Sequence, residues 1–161
     1  MHRVGQFIGH LTARVEPAEE AGARQLLPRT AWPLFAAMPT ADRRHAIDVA
    51  GRLLAAGQTD PDLLAAAMLH DAAKGHRMWL WHRVAGVVLA AVAPRALSRL
   101  ASPVERSWRY PFHLYLHHPA LSAEAALRAG CSPRTADLIR GSTEPSDASL
   151  LSALRRADEA S

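Results

Sequence analysis

The sequence predicts an all-α protein. Ala, Leu and Arg are abundant and aromatic residues make up only 6%, a composition that favours helix. Apolar residues recur at the three- and four-residue spacing of amphipathic helices between proline and glycine stops, and no segment alternates as a strand does. A length of 161 residues and a hydrophobic content of 49% suit a single domain with a real core.

Residues 1–40 are expected to form an N-terminal helical extension packed on the main body. The segment from Val4 to Val15 has the periodicity of an amphipathic helix. A second helix should run from Pro17 to about Leu27, and a short third one from about Ala31 to Pro39.

The next two helices lead to the most informative stretch of the chain. Thr40 is a good N-cap for a helix over residues 41–56, and Gly57 is a natural stop. Asp60-Pro61 then begins a helix that runs into the pair His70-Asp71.

An apolar, Ala-rich segment ends in His70-Asp71, with Lys74 expected one turn further on the same helical surface. Imidazole, carboxylate and ammonium groups beside core residues need partners, because desolvating them is unfavourable. A divalent metal with a bound phosphate would satisfy all three. The alternative is a helix that simply becomes polar where it reaches the surface. Lys74 is the only lysine in a chain that otherwise uses arginine.

At these residues the chain resembles the HD-domain superfamily of metal-dependent phosphohydrolases. His45, the doublet His70-Asp71 and a late Asp158 stand in the order that this superfamily uses. The segment from His118-Pro119 to Glu124 is similar to the His-Pro-Glu-Ile-Gly-Ala segment of the HDIG-type subgroup. The resemblance covers residues 41–161 and implies that they form an HD-domain helical bundle.

The resemblance implies one divalent ion (Mn, Fe, Mg, Zn or Ni) held by His45, His70, Asp71 and Asp158. It implies hydrolysis of a nucleotide or a similar small phosphate ester, with Asp71 and Lys74 as catalytic residues. Asp71 would accept a proton from the attacking water, and Lys74 or Arg44 would offset charge on the phosphate.

The chain departs from the subgroups that bind two metals. Their later histidines are replaced here by the stretch 138–144, which reads LIRGSTE. A full second metal site is therefore doubtful, and His118, or else His113 or His117, is expected to hold a substrate phosphate or a looser second ion. The alternative function is an HD-fold module with weak or absent catalysis that binds a nucleotide or a protein partner.

The segment 79–93 is strongly apolar and contains two tryptophans, but its uninterrupted part is far shorter than the ~20 residues that cross a bilayer. A membrane surface, a homodimer contact, a substrate lid and packing against the N-terminal extension are all open as its role. Pro94 should end this helix. Tyr110 should open a helix that carries the three histidines, and separate helices are expected at residues 122–130, from Ser132-Pro133 to about Arg140, and from Ser149 to Asp158.

The charge pattern limits the kinds of ligand that the protein is expected to bind. The net charge is +4 and the arginines are scattered along the chain, so a dedicated nucleic-acid surface is not indicated, whereas an anionic small substrate is compatible. A single cysteine, Cys131, excludes an internal disulfide framework. The N-terminus lacks a secretory signal pattern, and we expect a cytoplasmic protein.

Overall fold

The computed structural model describes residues 14–76 and 78–161, without the side chains of Leu80 and Arg83. These residues form an all-α protein with no strand in the part of the chain described. The predicted helix over residues 4–15 lies almost entirely outside the described residues.

Residues 14–76 and 78–161 contain nine α-helices, in chain order α1 (Pro17–Gln25), α2 (Trp32–Ala36), α3 (Thr40–Ala55), α4 (Pro61–Leu69), α5 (Leu80–Val92), α6 (Pro94–Leu100), α7 (Tyr110–Arg128), α8 (Pro133–Arg140) and α9 (Ala148–Glu159). A 3₁₀ turn, Pro145–Asp147, precedes α9. The prediction that Thr40 caps α3 is wrong, because Thr40 is the first residue of that helix and Pro39 precedes it without a side-chain cap. Two other predicted helix starts are confirmed by their caps. The Asp60 carboxylate accepts from the amides of Asp62 and Leu63, and the Ser132 hydroxyl accepts from that of Thr135.

The core is built around α4. Every residue from Leu63 to Leu69 is buried, and α4 contacts α2, α3, α7, α8 and α9. A helix that is apolar on all sides has to be surrounded in this way. The N-terminal extension adds Ala23, Leu27, Phe35 and Met38 to the same apolar core.

The prediction of two separate helices between residues 110 and 130 is wrong. One helix, α7, runs unbroken from Tyr110 to Arg128 with Pro119 inside it. A proline inside a helix removes the hydrogen bond from its own nitrogen to the carbonyl four residues earlier, here that of Tyr115, and its ring crowds that carbonyl. That carbonyl accepts from the His118 side chain instead, 3.0 Å away, so the helix continues.

Helices α5 and α6 pack on α7, away from the main core. Gly86 of α5 lies against the ring of Tyr115 on α7, and a Cβ atom at residue 86 would come within 2.6 Å of that ring. The glycine therefore sets how closely the two helices approach. No helix in the described residues is long and apolar enough to cross a membrane.

Candidate metal centre

The buried helix α4 ends where the predicted doublet begins. After Leu69 the chain follows turns through residue 76. The His70 side chain is 13% exposed and that of Asp71 is 3% exposed, so both lie at the edge of the core. The turn after them is held by α7, because the Ala73 amide donates to the Ser122 hydroxyl at 3.0 Å.

Three metal-type ligands, from α3, from α9 and from the turn that follows α4, meet at the doublet. Candidate ligand atoms of His45, His70 and Asp158 all lie within 4.8 Å of one another. Asp158 Oδ1 is 2.8 Å from His45 Nε2 and 3.4 Å from His70 Nε2. His45 lies on α3 beside the buried Ala46 and Asp158 lies on α9 beside the buried Ala157, so core packing of both helices places these side chains.

His70 is oriented as a metal ligand would be. Its Nδ1 lies 2.9 Å from the carbonyl oxygen of Ala67. A carbonyl can only accept, so Nδ1 carries the proton and Nε2 is free to act as a ligand. Nε2 of His70 is buried and makes no hydrogen bond with the described residues.

Asp71 uses its two oxygens differently. Oδ2 accepts from Lys74 Nζ at 2.5 Å, whereas the buried Oδ1 makes no hydrogen bond. Oδ1 lies 3.7 Å from Nε2 of His70 and 3.7 Å from Nε2 of His118. Lys74 reaches Asp71 through a turn, so the expectation that it continues the helical surface is wrong: the helix ends at Leu69.

His118 faces the centre because of the proline that follows it. Pro119 leaves the Tyr115 carbonyl without its helical donor, and His118 Nδ1–H donates to that carbonyl. The lone pair of His118 Nε2 is therefore available on the side of Asp71 Oδ1.

Burial and neighbouring charges shift the pKa values of His70 and Asp71 in opposite directions. Burial alone would lower the pKa of His70, but the carboxylates of Asp71 and Asp158 outweigh it and raise that pKa to about 9. Burial would raise the pKa of Asp71, but the charges of His70 and Lys74 hold it well below its usual value.

The two outer groups shift in the same direction for different reasons. Burial opposes ionisation of Asp158, yet its contacts with His45 and His70 hold its pKa far below the usual value. Burial, with Lys74 close by, lowers the pKa of His118 and favours a neutral ring. The ionised carboxylates thus hold the proton on His70 beside a neutral His118, and a bound cation would displace that proton from His70 Nε2.

A cavity of about 210 Å³ opens on the centre, with His70, His118 and Asp158 in its wall. Residues 138–141 and Arg155 also line this cavity. Gly141 has φ +77°, and a Cβ there would lie 3.2 Å from the Arg155 guanidinium. A cationic side chain thus occupies the wall where a second metal would need ligands.

Three of the predicted substrate or second-metal residues do not line this cavity. The Arg44 guanidinium binds Glu19 at 2.6 Å and Asp48 at 2.5 Å, and both contacts raise its pKa. His113 and His117 contact each other, with ring centroids 4.5 Å apart. Helix α7 turns only His118 toward the doublet.

Sequence reasoning missed two groups that structure the site. Ser122, fully buried on α7, accepts the Ala73 amide, and Arg155 lies three residues before Asp158 on α9. The sequence signal for Ser122 would have been a hydroxyl inside an apolar helix face. The signal for Arg155 would have been its i, i+3 spacing from Asp158.

The donor set fits a divalent cation. Two imidazoles and a carboxylate converge, and two buried polar atoms, His70 Nε2 and Asp71 Oδ1, have no hydrogen-bond partner among the described residues. A bound cation would satisfy both atoms.

Comparison of the chain with family models, with curated proteins and with solved structures finds no match in any of the three.

Proposed function

We propose that the protein is a metal-dependent phosphohydrolase that acts on a nucleotide or a similar small phosphate ester. The observation that carries the proposal is the convergence of His45, His70 and Asp158 within 4.8 Å, beside the unpartnered Oδ1 of Asp71. The resemblance of these residues to the HD-domain pattern supports the same assignment, including an HD-type helical bundle over residues 41–161.

His45, His70, Asp71 and Asp158 would hold one divalent ion of the Mn, Fe, Mg, Zn or Ni class. When bound, such an ion supplies Lewis-acid polarisation of the phosphoryl group and a more acidic water. The two carboxylates would balance its charge, because metal binding displaces the proton from a ligand nitrogen.

Lys74 positions the carboxylate. Its ammonium donates to Asp71 Oδ2 at 2.5 Å, which leaves Oδ1 directed at His70 and His118. Lys74 therefore acts through Asp71 rather than as a direct phosphate ligand.

His118 accepts a proton. Its Nδ1–H is committed to the Tyr115 carbonyl, so Nε2 takes the proton that the attacking water loses as its oxygen bonds to phosphorus. The ester oxygen leaves with the electron pair of the broken P–O bond and takes a proton from solvent.

Arg155 and Arg140 bind the anionic part of the substrate. Both line the same cavity as His70, His118 and Asp158. Arg140 is paired with Asp137 at 3.0 Å, whereas Arg155 makes no ion pair with the described residues. A guanidinium in that position suits a phosphate or diphosphate group. We place this activity in the cytoplasm, where the single, buried Cys131 stays a free thiol.

The proposal is tested by metal content and turnover in the full chain. After loading with each candidate metal and gel filtration, the wild type should retain about one ion per chain, and Asp158→Asn should lose it. Asp137→Asn, on the solvent-facing side of α8, is the matched control and should bind metal as wild type does. The loaded wild type is then screened against nucleoside mono-, di- and triphosphates. No retained metal under any loading condition would overturn the proposal.

A non-catalytic, nucleotide-binding module is the second candidate, and the missing histidines at residues 138–144 favour it. It predicts retained metal and nucleotide binding, weakened by Arg155→Gln, with no turnover in any loaded form.

A further inference from the structure

Large apolar side chains are exposed together in one part of the molecule. Among the described residues, ten large apolar side chains are exposed, and eight of them fall between residues 79 and 108. These eight, 47–78% exposed, are Trp79, Trp81, Val84, Val87, Val88, Val92, Val104 and Trp108; we refer to them as the tryptophan–valine face.

Five members of the tryptophan–valine face are connected to one another. Trp81, Val84, Val88 and Val92 follow one another at three- and four-residue steps, so they form a stripe along α5. The rings of Trp81 and Trp108 lie 6.2 Å and 6.5 Å from the ring of Phe112, which joins the stripe to the loop before α7.

The same part of the chain carries the excess positive charge. Residues 72–123 contain seven Lys or Arg residues and a single acidic residue, Glu105. The remaining residues contain 12 basic and 14 acidic side chains, so they are net negative. The arginines do not run together along the chain, but their surplus over acidic residues is confined to this segment.

Three arginines beside the face are free to bind an anion. Arg95, Arg99 and Arg106 are exposed and make no ion pair within the described residues. Arg95 and Arg99 lie on the side of α6 opposite its buried Leu97. Five arginines elsewhere are instead paired with acidic side chains: Arg43, Arg44, Arg128, Arg134 and Arg140.

We propose that the tryptophan–valine face docks this protein on the surface of an anionic phospholipid bilayer. Tryptophan and aliphatic side chains of an amphipathic helix enter the headgroup region, and flanking arginines bind the lipid phosphates. Anionic lipids concentrate in the cytoplasmic leaflet, where we place the protein. This inference does not depend on the proposed phosphohydrolase function.

Two other partners fit the face less well. Nucleic acid would match the arginines and tryptophans, but the exposed valines have no bases or phosphates to bind. A two-fold contact with a second copy would bury the valines but bring two strongly basic segments together.

The test is flotation of the full chain with vesicles of phosphatidylcholine alone and of phosphatidylcholine mixed with phosphatidylglycerol. We expect binding to the mixed vesicles only, together with a blue shift of tryptophan emission. Three of the four tryptophans, all except Trp32, lie on the face.

Two variants separate the charge from the apolar surface. Arg95→Gln/Arg99→Gln/Arg106→Gln should lower the partition coefficient by about tenfold or more, and Val84→Ser/Val88→Ser/Val92→Ser should do the same while circular dichroism shows intact helix. The matched control, Arg29→Gln/Arg128→Gln/Arg156→Gln, removes equal charge from exposed positions elsewhere and should bind as wild type does.

Several outcomes overturn the proposal. These are no flotation at moderate salt, an equal loss in the control variant, and binding to RNA that vesicles do not displace. Dimerisation abolished by the valine variant, without vesicle binding, would assign the face to a second copy.

Discussion

Asp158 Oδ1 lies 2.8 Å from Nε2 of His45, although 113 residues separate the two along the chain. Helices α3 and α9 both pack on α4, so two core-facing surfaces bring this pair to the end of the doublet helix. The contact brings two partly exposed side chains, far apart in the sequence, together in the candidate metal centre.

His45→Ala is therefore expected to lower metal affinity by about 10–100-fold or more, because it removes a ligand and leaves Asp158 without its partner. The measurement is a chelator-competition titration on the loaded full chain. His117→Ala, an exposed histidine outside the centre, is the control and should retain wild-type affinity. Equal affinities in all three proteins would contradict the assignment.

Pro119→Ala should stabilise helix α7 and disturb the orientation of His118 in the candidate metal centre. The new amide donates to the Tyr115 carbonyl and competes with His118 Nδ1–H, so the ring loses its fixed orientation. We expect unchanged or higher stability to urea and a His118 ring whose ¹⁵N shifts no longer report protonation at Nδ1 alone. A His118 signal identical to wild type would show that the proline does not orient it.

Ser122→Ala should destabilise the fold by about 1–3 kcal/mol, because the Ala73 amide loses its acceptor in a buried position. Urea unfolding followed by circular dichroism measures the change. Ser152, which donates to the Ala148 carbonyl at an exposed position, provides the comparison, and Ser152→Ala should change stability by less than about 0.5 kcal/mol. Similar losses in both variants would contradict the role of Ser122.

Gly86→Ala and Gly51→Ala should change the free energy of unfolding in opposite directions. A Cβ at residue 86 meets the Tyr115 ring at 2.6 Å, so the first change should cost about 1–3 kcal/mol. Residue 51 lies in helix α3 with nothing within 4 Å of an added Cβ, so the second should stabilise by about 0.5–1 kcal/mol. Thermal and urea unfolding measure both, and a stabilised Gly86→Ala would mean that α5 packs differently on α7.

The Arg134 guanidinium is paired with three carboxylates, and this network should make the free energy of unfolding decrease at acidic pH. Burial opposes ionisation of Asp62, but Ser132, Thr135 and Arg134 outweigh it and lower its pKa; Arg134 also lowers the pKa of Asp147. A carboxyl group whose pKa is lowered by folding stabilises the fold at pH values above its ordinary pKa, near 3.8. This contribution to the free energy of unfolding is lost as the pH falls through the folded-state pKa.

Arg134→Gln should therefore be less stable than wild type at neutral pH, and the gap should close as pH falls below about 4. Urea unfolding at a series of pH values measures this difference. Arg128→Gln, whose guanidinium is 72% exposed and pairs only with Glu124, is the control and should show a small, nearly constant difference. A gap that widens on acidification would contradict the network.

The sequence by itself determined the features that depend on near neighbours. Helix starts at Asp60-Pro61 and Ser132-Pro133 and the stop at Gly57 follow from capping chemistry and apolar spacing within a few residues. The candidate ligands His45, His70, Asp71 and Asp158 were also readable as a pattern, because the order of residue types survives without coordinates.

Only the tertiary structure decided which side chains share the site. The rotation of α7 against α4 turns His118, rather than His113 or His117, toward Asp71. Packing of the N-terminal extension places Glu19 on Arg44, and α9 brings Arg155 into the cavity. These contacts depend on how distant helix faces pack together, and no local propensity encodes that arrangement.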